Sequence, residues 1–186
     1  MRDLSDFDVL SLPGSHNSGP DHWQTHWEAA FSNMLRVEQD DWEVPVYSDW
    51  SFRLTETVNQ CRRPVLLVAH SLGTALVARW SQEADTRAVA GAFLVATSDV
   101  DRLAATPGYL MRGFAPVILG RLPFPSMVLA SRNDDRVTIE RAEAFASAWG
   151  SRFVDVGALG HIGSAAKLDI WPQGLVWFGQ FIASVS

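Results

Sequence analysis

The sequence predicts an α/β fold: a three-layer α/β/α sandwich built on an about six-stranded, mostly parallel, doubly wound sheet. Three observations lead there. Short apolar runs alternate along the chain with longer stretches of helical periodicity, and that alternation implies parallel strands joined by right-handed crossovers. The run Val65-Leu66-Leu67-Val68-Ala69 is continuously apolar, as a central strand buried on both faces would be. The 186 residues, 47% hydrophobic and 19% charged, suit one domain with one core, read as residues 1–186.

Taken in order, Phe7 to Leu12 is a short apolar strand that stops at Pro13-Gly14. His22 to Arg36 reads as a helix with Trp23, Trp27, Ala30, Phe31 and Met34 on one face, and Asp21 could cap it. Arg36 to Trp42 is a weak second strand, and Ser51 to Gln60 a second helix. Pro64 opens the central strand, and Leu72 to Glu83 is the helix that follows it. Val89 to Ala96 and Ser126 to Ser131 are further strands. Thr138 to Trp149 is a helix with Thr138 as N-cap, and Phe153 to Val156 a short last strand. Pro172 to Ala183 closes the chain as a helix with a stripe of Val176, Trp177, Gln180 and Phe181. Residues 99–125 are the least regular stretch; they are expected to hold one helix and to form a small apolar cap.

Composition excludes several function classes. A net charge of −6 argues against nucleic acid and against an anionic membrane surface as partners. The N-terminus has no apolar h-region and no run approaches a membrane span, so a cytoplasmic protein is expected. Cys61 is the sole cysteine and can form no intrachain disulfide. Arg62 and Arg63 beside it could lower its pKa, but a small residue at a helix end is the plainer reading. His22 and His26 are spaced four apart on a helix, yet the glutamate of a helical zinc motif is missing between them and no third ligand is evident; no metal is expected. The Leu12-to-Gly19 loop lacks the lysine of a phosphate-binding loop and there is no G-x-G-x-x-G, so no nucleotide and no other cofactor is expected.

The informative segment is Val68-Ala69-His70-Ser71-Leu72-Gly73. An apolar strand runs into a serine flanked two places either side by small residues, and a helix begins at once. That is the logic of the G-x-S-x-G nucleophile elbow, with Ala69 in the first glycine's place. A serine that merely caps the following helix is the competing reading. A nucleophilic hydroxyl needs a base, and in this fold the acid and then the histidine follow the serine in the chain. His161, in Gly160-His161-Ile162-Gly163, is the one histidine after Ser71. For the acid, Asp134 is preferred, with Asp135 and, after the preceding strand, Asp99 or Asp101 as alternatives. The oxyanion donors are expected to be the backbone N–H of Leu72 and that of Ser15 or His16. Trp23, Tyr109 and Phe114 are candidates for the substrate pocket.

These segments resemble the small serine hydrolases related to retinoblastoma-binding protein 9 and the bacterial YdeN-type proteins. The resemblance rests on Leu12-Pro13-Gly14, Gly19-Pro20-Asp21-His22-Trp23-Gln24 and Trp27-Glu28. It extends to the serine segment, Ser131-Arg132-Asn133-Asp134, Gly160-His161-Ile162 and Trp171-Pro172. It implies an α/β-hydrolase fold without the larger caps and a triad of Ser71, Asp134 and His161. Asp135 stands where the family usually has proline, and His16-Asn17 replace a glycine-richer stretch. The expected function is cleavage of an ester or amide acyl bond in a small-molecule substrate through an acyl-enzyme. The alternative is a module that binds a protein partner and leaves its triad unused.

Overall fold

The computed structural model describes residues 3–185. Its six strands are β1 (Asp8–Leu12), β2 (Met34–Arg36), β3 (Val65–His70), β4 (Val89–Val95), β5 (Ser126–Ala130) and β6 (Arg152–Asp155). They form one sheet in the order β2-β1-β3-β4-β5-β6, with every neighbouring pair parallel. The chain winds outward from β1 to β2, then crosses back to β3 and proceeds to β6. The connections therefore part on opposite sides of β1 and β3, and a crevice opens beyond their carboxyl ends.

The helices are α1 (Trp23–Ala30), α2 (Tyr47–Gln60), α3 (Leu72–Glu83), α4 (Val100–Ala104), α5 (Ile139–Trp149) and α6 (Pro172–Ser184). Alternate strand residues point to opposite faces, and the core divides accordingly. Leu10, Leu67, Leu94 and Val128 pack with α2, α3 and α5 through Trp50, Trp80 and Phe145. Val9, Leu66, Val68 and Phe93 pack with α1 and α6 through Trp27, Phe178 and Phe181. β3 is buried at every position, which is why its sequence shows no polar alternation.

Several boundaries differ from the sequence reading. The helix expected over His22 to Arg36 stops at Ala30. Phe31 turns to extended backbone, and the Asn33 carboxamide donates to the Leu4 and Phe7 carbonyls at 2.7 and 3.0 Å, drawing residues 34–36 alongside β1. Phe31 and Met34 kept a helical spacing by coincidence, because both enter the same core layer. His22, not Asp21, caps α1; its Nδ1 accepts from the Gln24 N–H at 3.2 Å. The second strand is Met34–Arg36 rather than Arg36 to Trp42, and α2 begins at Tyr47, whose N–H donates to the Arg112 carbonyl. On α6 the buried stripe is Gly174, Phe178, Phe181 and Ile182, while Val176 is exposed. Thr138 does cap α5, accepting from the Arg141 N–H. No helix of the described residues is long and apolar enough to cross a membrane.

Candidate active site

The site begins with a backbone feature. Ser71 links β3 to α3 at φ 53°, ψ −122°, a conformation that L residues rarely adopt and that costs about 1–3 kcal/mol. The turn is held from three sides. The Ser71 N–H donates to the Val95 carbonyl at 3.1 Å, and the Ser71 carbonyl accepts from the Thr74 N–H at 2.9 Å and the Thr74 hydroxyl at 2.7 Å. The β1 loop presses against it so closely that two glycines are required. A Cβ on Gly73 would stand 2.3 Å from the Leu12 carbonyl oxygen, and one on Gly14 would stand 2.7 Å from the Ser71 Cβ. The Ser71 side chain does not cap α3. It points instead into the crevice.

There the Ser71 hydroxyl meets His161 Nε2 at 2.7 Å. His161 Nδ1 lies 2.8 and 2.9 Å from the two Asp134 carboxylate oxygens. A carboxylate that accepts from Nδ1–H leaves the Nε2 lone pair free to accept the serine proton. The Asp134 side chain is fully buried, and its Oδ1 also accepts from the Arg136 N–H at 2.8 Å. The other carboxylates are engaged elsewhere. Asp135 is exposed beside Arg136, and Arg141 binds Asp99 and Asp101 at 3.2 and 3.0 Å. None of the three reaches His161.

Two backbone N–H groups, one following Ser71 in the chain and one following Gly14, are without an acceptor among the described residues. Leu72 is the first residue of α3, so its N–H has no intrahelical acceptor. Ser15 follows Gly14, and its N–H has no acceptor among the described residues. The His16 N–H, by contrast, is spent on the Trp42 carbonyl at 2.9 Å, and its ring turns out to Glu43. His16 is therefore removed as an oxyanion donor.

A family model for serine hydrolases matches residues 9–180. The chain belongs to the serine hydrolase family. Among solved structures it is similar to a protein assigned as a YdeN-like hydrolase from Pectobacterium atrosepticum, with a TM-score of 0.85 and 29% identity over 97% of this chain and 93% of that one. The ydeN gene product of B. subtilis follows the same fold at a TM-score of 0.75 and 18% identity, covering 94% and 98%. An esterase domain from Rhodothermus marinus does so at 0.67 and 16%, covering 95% and 88%. No curated protein matches the chain. The six-stranded α/β-hydrolase fold expected from the sequence is thus the one this serine hydrolase has.

The serine hydrolase holds its histidine loop with side chains to which the sequence assigned no such role. The Ser131 hydroxyl accepts from the Leu159 N–H at 2.8 Å and donates to Asn133 Oδ1, which also accepts from the Gly160 N–H at 2.7 Å. His70 Nε2–H donates to the His161 carbonyl at 2.9 Å, and Trp23 Nε1–H to the Ile162 carbonyl at 2.9 Å. Burial holds the His70 pKa well below the ordinary histidine value, so its ring is a neutral donor. Burial and the Arg36 charge bring the adjoining His22 down to about 4. Ser98, just beyond β4, puts its hydroxyl 3.4 Å from that of Ser71. Its signal was its place, a small polar residue at the carboxyl end of the strand beside β3.

Two of the three pocket candidates fall elsewhere. Trp23 is buried against Trp27 and Trp171 behind the histidine loop. Phe114 is buried between Tyr47 and Trp50. In both, the ring lies in the core, because burying it in full is worth more than lining a wet crevice. Tyr109 does line a cleft beside Ser15. Residues 99–125 hold only the short α4 and are tied down beyond it, through Arg112 to Pro45 and Ile118 to Trp149. Cys61 donates to the Thr57 carbonyl, and burial with the nearby Asp8 raises its thiol pKa, the opposite of an activated thiol. Among the described residues no group of three His, Cys, Asp or Glu is placed to hold a metal ion.

Proposed function

We propose that this serine hydrolase cleaves carboxylic esters, with amides as a slower class, through a Ser71–His161–Asp134 triad. The observation that carries the reading is the single hydrogen-bonded row of those three side chains, aimed from a strained turn. The Ser71 oxygen attacks the substrate carbonyl carbon while its proton passes to His161 Nε2. The negative charge that develops on the carbonyl oxygen is met by the Leu72 and Ser15 N–H groups. Asp134 holds the imidazolium by accepting from Nδ1–H. When the tetrahedral adduct collapses, the leaving oxygen takes the proton from Nε2 and the acyl group stays on Ser71. A water molecule, deprotonated by the same nitrogen, then releases the acid and restores the serine. The substrate is a small molecule, and a cytoplasmic location fits the free thiol of Cys61.

The test is a fluorophosphonate probe at neutral pH followed by peptide mass spectrometry. One covalent adduct is expected, on Ser71, and none on Ser71→Ala. Folded protein that takes no label would overturn the proposal and leave a binding module with an unused triad as the better account.

A further inference from the structure

Next to the Ser15 donor lies a cleft whose other walls the proposed chemistry does not use. Residues of the turn after β1, Ser15 and His16, face residues 103–111 across a cleft of about 190 Å³, with Glu43 at its edge. β1 and β4 are the two neighbours of β3 in the sheet. The segments that follow them therefore flank Ser71, and Gly14, one residue from the cleft wall, lies so close to the serine that a Cβ there would stand 2.7 Å from the Ser71 Cβ. The histidine loop reaches the same serine through His161 and lines no part of the cleft.

This arrangement divides a bound ester. The leaving oxygen must lie on the His161 side, where its proton comes from. The carbonyl oxygen must lie at the Leu72 and Ser15 N–H groups. The third substituent of the carbonyl carbon is the acyl chain, and the recess next to the Ser15 donor, walled by neither Ser71 nor His161 and one residue from Gly14, is this cleft. Resting on the reading of Ser71 as the acylating nucleophile, we infer that the cleft between Ser15 and residues 103–111 binds the acyl chain, and that this chain is short and uncharged. Its length follows from the volume, which is below the 300–1,000 Å³ or so of sites for drug-sized ligands. Its chemistry follows from the wall of Leu103, Pro107, Leu110 and Met111. Among the described residues no lysine or arginine lines the cleft to hold an acyl carboxylate, and the one histidine in its wall, His16, is already engaged by Glu43 at 2.7 Å.

Steady-state hydrolysis of p-nitrophenyl acetate, butyrate, hexanoate and decanoate, and of p-nitrophenyl hydrogen succinate, tests this directly. Rates are normalised to active sites titrated with fluorophosphonate. The kcat/KM is expected to rise about fourfold per methylene while the chain fills the cleft, then to fall at least tenfold by decanoate. The succinate ester should be at least tenfold poorer than butyrate. Leu110 is exposed on the cleft wall, so its replacement spares the core. Leu110→Trp should lower the hexanoate-to-acetate ratio at least tenfold, and Leu110→Ala should move the optimum to a longer chain. A rate that keeps rising through decanoate, a preference for the succinate ester, or a ratio untouched by both variants overturns the inference while leaving labelled Ser71 in place. Absence of the label on the wild type overturns the nucleophile reading, and this inference with it.

Discussion

At the scale of single residues, environment separates side chains that look alike in the sequence. Asp134 and Asp135 are neighbours, yet one carboxylate is sealed against His161 and the other sits in water beside Arg136. Exposed pairs of the second kind contribute little. Asp134→Asn should therefore cut kcat/KM on the hydrolysed ester by about 10⁴-fold, because the carboxamide carries no charge and its NH2 can donate to Nδ1, which leaves the proton on Nε2. Asp135→Asn should stay within about twofold of wild type, and the two rates measured side by side decide the matter. Gly73 makes a second residue-scale prediction. A methyl group there has no room beside the Leu12 carbonyl, so Gly73→Ala should lower stability by about 1–3 kcal/mol in urea unfolding and should slow labelling of Ser71. An unchanged midpoint would mean that the β1 loop does not pack as described.

At the scale of elements, the histidine loop is the part whose position is least local. Leu159, Gly160, His161 and Ile162 follow β6, but the groups that hold them come from the turn after β5, from β3 and from α1. The Asn133 carboxamide oxygen is the element's tether to the Asp134 turn. Asn133→Ala leaves the Gly160 N–H and the Ser131 hydroxyl without that acceptor and, with His161 as the proposed base, should lower kcat about tenfold with KM little changed, since the loop would align the base rather than the substrate. A rise in KM alone would count against this role. The same scale accounts for the misplaced helix end. A helix of apolar period was legible over residues 22–36, but its stop at Ala30 depends on the Asn33 carboxamide reaching Leu4 and Phe7, a contact that no local pattern announces.

At the scale of the whole molecule, folding forces His22 and His70 into the core beside His161 as neutral rings. Their folded pKa values lie below the ordinary 6.5, His22 at about 4. The unfolded chain therefore binds more protons than the folded one across that interval, and stability rises with pH there. The contribution is fully present above about pH 6.5 and is lost as pH falls toward 4, with His22 alone carrying of the order of 3 kcal/mol. Urea midpoints should accordingly drop between pH 7.5 and pH 5, and His22→Gln should flatten the slope. A midpoint independent of pH over that range would show that these rings are not buried neutral.

What the sequence by itself determined is local or topological. Continuous burial wrote β3 as an apolar run, crowding at the strand-to-helix turn wrote the small residues Ala69 and Gly73 either side of Ser71, and the alternation of elements implied the parallel sheet. Chain order left His161 as the sole histidine after Ser71, and the family resemblance favoured Asp134. What only the tertiary structure decided is which of several chemically equal groups faces the crevice. It sent Trp23 and Phe114 to the core, occupied the His16 N–H with the Trp42 carbonyl, and turned Asp99 and Asp101 to Arg141. The reason is physical. A backbone conformation or a burial pattern constrains residue type at its own position, whereas a side chain's partner depends on which distant segment arrives beside it.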